Sequence, residues 1–181
     1  MKRSIIVLLF LLFLLWAAPL SGKVYLTKDD ALKQAFPSAD AIERQNLFLM
    51  DEDLKHIEAL SKVKVESRLF TYYKAVSKEG IIGYAVIGSH IVRTKPEVYI
   101  IVIRPEGELG YVEILAFYEP EEYLPPRRWL AQFIGKRLTE GLWIKRDIQA
   151  ITGATLSAYG LTREIRQVLA IFELKIMKEK R

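Results

Sequence analysis

The stretch from Glu66 to Tyr118 constrains the fold most. It carries four segments, RLFTYYKAV, GIIGYAVIGSHIV, EVYIIVIR and GYVEILAFYE, rich in β-branched and aromatic residues. Such residues fit a pleated, half-buried surface. The segments are separated by SKEG, RTKP and PEGE, which are built from turn-forming residues. Connections this short join neighbouring strands antiparallel, because a parallel crossover needs a dozen or more residues. The reading is an antiparallel β-meander.

Helical patterns flank the meander. In TKDDALKQAFP, Thr27 is placed to cap, Asp30 follows as in a capping box, and Pro37 ends the helix. LMDEDLKHIEALSKV reads as a second helix, with Asp51 as N-cap and Leu54, Ile57 and Leu60 near helical spacing. After the proline-rich loop EPEEYLPPRR, WLAQFIGKRL reads as a third helix with Gly135 inside it or near its end. TEGLW is a loop. Beyond it, Leu161, Ile165, Val168, Leu169, Phe172 and Ile176 recur on one helical face, with charges on the other. That predicts a long C-terminal helix packed on the sheet. The expected class is therefore α+β, in a single domain over residues 23–181. A chain of 181 residues with 51% apolar composition is long enough for a substantial core.

Residues 1–22, MKRSIIVLLFLLFLLWAAPLSG, open with Lys2 and Arg3 and continue as an apolar run from Ile5 to Leu20. This reads as an export signal peptide. Cleavage after Gly22 would put Leu20, and after Ala18 Trp16, where a small residue is expected. The alternative is a retained membrane anchor, although a span needs roughly 17–25 residues. Either way, the chain after about Lys23 is expected outside the cytoplasm, secreted or anchored, in the periplasm or on the outer face of the cytoplasmic membrane. The net charge of +5 includes Lys2, Arg3, Lys178, Lys180 and Arg181 at the two ends. No basic stripe interleaved with aromatics is present, so nucleic acid is not an expected partner. The absence of cysteine excludes disulfides, thiolate catalysis, iron–sulfur ligation and a lipoprotein anchor.

The start of the last helix coincides with AITGATLSAYG, residues 150–160. A helix start presents unpaired N–H groups and the positive end of the dipole, which suits an anion such as phosphate. Gly153 permits close backbone approach, and Ala154 leaves space. Thr152, Thr155 and Ser157 supply hydroxyls, and Lys145 and Arg146 stand nearby in sequence. Spacing alone is equally met by Thr152 or Thr155 acting as a plain N-cap.

ITGATLS resembles the [ST]-G-A-T-x-[ST] signature of FMN-binding domains. These occur in the flavoprotein subunits of sodium-pumping NADH:quinone oxidoreductase and Rnf-type complexes, and in small exported flavoproteins. FYEPEEYLPPRRWLAQF is similar to the E-P-x-x-Y…W segment of the exported branch, and the resemblance spans roughly Gly83 to Val168. It implies FMN joined through a phosphoester to Thr155 by an extracytoplasmic flavin transferase. It also implies electron transfer with a quinone-linked or cytochrome-type redox partner. Many members carry Asp three residues before the tetrad. Here that position is Gln149, and Asp147 lies two residues earlier.

In the related domains the loop holding Glu119, Tyr123 and Trp129 forms part of the flavin wall. By that resemblance Tyr123 or Trp129 is a candidate to cover the ring. The plainer role for Trp129 is to anchor its helix in the core. His90 is either a flavin-tuning or proton-carrying group or an ordinary satisfied histidine, and His56 is expected exposed. Two isolated histidines make no metal site, and Asp51, Glu52 and Asp53 fit a helix start better than a calcium loop. Neither a nucleophile elbow, a P-loop nor a dinucleotide fingerprint is present. Two alternatives of other kinds stay open: a flavin-free extracytoplasmic binding or assembly module, and a non-covalent FMN binder.

Overall fold

The computed structural model describes residues 22–177. The segment read as a signal or anchor lies outside the described residues, apart from Gly22. Among the described residues no helix is long and apolar enough to cross a membrane. The elements run β1 (Lys23–Val24), α1 (Lys28–Ala35), β2 (Ala41–Phe48), α2 (Asp51–Ser61), β3 (Leu69–Ser77), β4 (Gly80–Ile91), β5 (Pro96–Ile103) and β6 (Leu109–Phe117), followed by α3 (Arg127–Leu130) and α4 (Thr155–Ile171). The six strands form one sheet in the order β1-β6-β5-β4-β3-β2, antiparallel throughout. The fold is α+β, as the meander and the helical flanks require.

Alternation along the central strands divides the core in two. Tyr84, Val86, Tyr99, Ile101 and Ile103 point to one face, where α2 and α4 pack. Ala85, Ile100 and Val102 point to the other, where α1 brings Ala31, Leu32 and Phe36. All six apolar positions expected on the C-terminal helix are buried. The helix ends in a π-helical turn, Phe172–Ile176.

The structure adds two strands and corrects three local expectations. β1 and β2 extend the sheet at its two edges. β2 is AIERQNLF, whose partial burial follows no clean alternation. Cross-strand pairs hold it instead: Lys74 to Glu43 at 2.8 Å, and the Thr71 hydroxyl donating to Asn46 at 2.8 Å, both at register positions. The charged residues also blunt an open sheet edge. The third helix is not continuous. α3 covers one turn and passes into the 3₁₀ turn Ala131–Phe133, and Gly135 at φ 75 turns the chain away. Beyond it, Gly135 N donates to Leu109 O at 2.8 Å and Leu109 N donates to Lys136 O at 2.9 Å, which ties this segment to the start of β6. At α2, Met50 rather than Asp51 is the N-cap, and Asp53 accepts from Met50 N at 2.9 Å. On α4 the charged face has an exception: Arg166 is 1% exposed and lies inside.

Candidate functional site

The tetrad Thr152-Gly153-Ala154-Thr155 stands at the start of α4, the longest helix described. Ala154 is the N-cap, and no side chain caps the helix. The first intrahelical bond runs from Ala158 N to Ala154 O, 3.0 Å. The N–H groups of Thr155, Leu156 and Ser157 therefore precede the helical ladder. Neither Thr152 nor Thr155 performs the capping that would have explained the motif without a ligand. Thr155 is exposed as the first helical residue, and its hydroxyl donates to Ile151 O at 3.0 Å. Thr152 and Gly153 are exposed and Ala154 is buried. Gly153 has φ 88, a conformation that side chains resist, and a Cβ there would lie 3.5 Å from Glu122 O.

Two chain segments flank the tetrad. On one side lies the 3₁₀ turn Glu121–Tyr123. Ser157 is fully buried and donates its hydroxyl to Tyr123 O at 2.6 Å, which fastens that turn to the helix. The Arg93 guanidinium lies 5.1 Å from the Tyr123 ring. Glu119 sets the Arg93 turn: its Oε1 accepts from Thr94 N at 2.7 Å and Lys95 N at 2.9 Å. These bonds, the Thr94 N–H foremost, hold the Glu119 carboxyl below its ordinary range. On the other side lies Trp129, buried and edge-on to Phe133 at 5.3 Å. Its indole N–H donates to Gln149 O at 2.7 Å, and Gln149 N donates to Gln132 Oε1 at 2.8 Å. The segment leading into the tetrad is thus pinned at Gln149 through both its N–H and its carbonyl. Trp129, Gln149, Ala150 and Ile151 line a concavity of about 400 Å³ beside it.

Sequence-identified residues therefore converge, in different capacities. Thr152, Gly153 and Thr155 are open to solvent. Ser157, Glu119 and Trp129 spend their polar atoms on the scaffold. Asp147 accepts from the Thr139 hydroxyl at 3.1 Å, and Arg146 donates to Glu140 O at 3.3 Å, so both shape the preceding loop. Lys145 remains exposed. His56 is exposed, as its polar surroundings imply.

His90 is not a surface histidine. It faces its register partner Glu97 across β4 and β5, with Nε2 4.0 Å from Oε1. Neither side chain has a hydrogen-bond partner. Burial, and then the Arg163 charge, push His90 down to about 4, and burial pushes Glu97 up to about 8. Burial thus favours the uncharged form of both groups, and no hydrogen bond joins them.

Sequence reasoning missed Tyr159 and Trp143. Tyr159 is half exposed, and its ring stacks on Trp143 with centroids 5.9 Å apart and planes at 24°. The only available signal was position, one helical turn after Thr155.

No family model matches the chain, and no curated protein does. Among solved structures, the fold is similar to NqrC of Shewanella oneidensis, with 10% identity and a TM-score of 0.47, over 81% of this chain and 83% of that one. A likeness at that level carries no functional assignment.

Proposed function

We propose that this chain is an extracytoplasmic FMN-binding electron-transfer protein, with FMN attached through a phosphoester to Thr155. The observation that carries the reading is the uncapped start of α4 at the tetrad, with Thr155 exposed as its first residue. The residues fit the group. Three N–H groups and the positive helix end suit a phosphodiester charge. Gly153 and Ala154 keep the approach clear, and Thr152 offers a second exposed hydroxyl. Ser157 supports the site by holding the Glu121–Tyr123 turn in place. Bound FMN would supply one- and two-electron redox chemistry, while the protein supplies position and electrostatics.

The N-terminal segment makes an export signal or anchor, which would bring the site to a flavin transferase outside the cytoplasm. A quinone-linked or cytochrome-type protein would then be the redox partner. The test is expression in a host with an active transferase. The denatured protein is expected to keep flavin fluorescence on a gel. Thr155→Ala is expected to lose it with an unchanged circular dichroism spectrum. Covalent flavin retained by Thr155→Ala would refute the assignment.

A further inference from the structure

α4 leaves two large apolar side chains in water directly after Thr155: Leu156 at 56% exposure and Tyr159 at 50%. Tyr159 is not free to swing. Its ring lies against Trp143, nearly parallel. The Arg166 guanidinium in turn sits 4.4 Å from the Trp143 ring centre. Arg166 is itself immobile, donating to Ser61 O at 2.7 Å, Thr139 O at 2.8 Å and Leu142 O at 3.1 Å. A buried cation, an indole and a phenol therefore form a braced assembly that keeps part of the Tyr159 ring in solvent. Isolated exposed aromatics are common, but a stack fixed from beneath is a preformed flat surface.

Its place on the helix selects the occupant. Thr155 and Tyr159 are separated by four residues, about 6 Å of rise, on one face. A helical side chain covers the surface over the turn N-terminal to its own Cα, and for Tyr159 that is the turn Thr155 opens. The aromatic candidate on the other flank is less available, because Trp129 is only 4% exposed and its N–H is bonded.

We infer that Tyr159, braced by Trp143 and flanked by Leu156, is the surface on which the isoalloxazine ring of a Thr155-linked FMN stacks. This rests on the flavin reading above. The ribityl chain between phosphate and ring is flexible and long enough to cover one helical turn. Stacking on an aromatic face suits a planar, polarizable ring. The face also leaves the far side of the flavin open to a redox partner.

The test uses flavin emission, because an excited flavin in contact with a tyrosine takes an electron from it and returns it without emitting. Wild type, Tyr159→Leu, Tyr159→Trp and Tyr123→Leu are flavinylated, and FMN load is measured by intact mass. Tyr159→Leu is expected to carry the same FMN mass and to emit several-fold more per flavin. Tyr159→Trp is expected to stay quenched. Equal emission from loaded wild type and Tyr159→Leu would overturn the inference, as would a rise confined to Tyr123→Leu. Wild type lacking the FMN mass, with the transferase active on a control protein, would overturn the flavin reading itself and this inference with it.

Discussion

At the scale of single residues, positions that look alike in the sequence do different work. Thr155 is exposed and its hydroxyl donates to Ile151 O at the surface, while Ser157, two residues on, is buried and donates to Tyr123 O. Ser157→Ala would leave that carbonyl without its donor. The expected cost is about 1–3 kcal/mol of stability, read by denaturant unfolding. His90 and Glu97 give a pH signature. The fold keeps the Glu97 proton up to about pH 8, whereas the unfolded chain loses it near the ordinary carboxylate value. Stability therefore falls as pH rises through that window. His90 acts oppositely: between about pH 4 and its ordinary value of 6.5, the unfolded chain holds the extra proton, so stability falls on acidification there. Around the pair, Tyr99 donates to Glu164, whose pKa is also raised by burial, and Arg163 supplies the neighbouring charge. Between pH 6.5 and 8 the Glu97 slope is unopposed by His90, at up to about 1.4 kcal/mol per pH unit. Glu97→Gln is expected to flatten the stability profile in that range; an unchanged slope would assign the titration to another group.

At the scale of elements, α4 meets the sheet through a glycine. A Cβ at Gly160 would stand 2.4 Å from His90 Nε2. Helix propensity favours Gly160→Ala by about 1 kcal/mol. The buried His90 ring has little room to retreat, and overpacking costs about 1–3 kcal/mol. Gly160→Ala is therefore expected to destabilise the protein, and to do so less in a His90→Ala background. Additive effects would show that the two positions do not collide. The same elements show what a sequence reveals. The meander and α4 were legible because runs of β-branched and aromatic residues between turn-formers, and a repeating apolar face, survive in a linear string. β2 was not, because its support is Glu43 with Lys74 and Asn46 with Thr71, partners supplied by a distant strand. The third helix failed for a local reason: helical geometry stops after Phe133, where Ile134 takes ψ 129, and Gly135 at φ 75 then redirects the chain.

At the scale of the whole molecule, Arg166 joins parts far apart in sequence. It binds the end of α2 through Ser61, the loop through Thr139 and Leu142, and the Trp143 ring. In the sequence it read as one more charge on a solvated helix face. Its burial depends on carbonyls that only the folded chain assembles. Arg166→Leu is expected to cost about 3 kcal/mol or more, since several buried acceptors lose a charged donor. The tetrad was legible as a motif at a helix start, and the structure adds the open cap and the flanking turns. The Trp143–Tyr159 stack was not legible, because a loop residue and a helix residue meet there only through tertiary packing. The central claim is a chemical bond at one atom. Peptide mapping by mass spectrometry, on protein exported from a host with an active flavin transferase, tests it directly. The account predicts an added FMN mass on the peptide containing Thr155 and on no other. An unmodified Thr155 peptide, with a control protein flavinylated in the same cells, would contradict it.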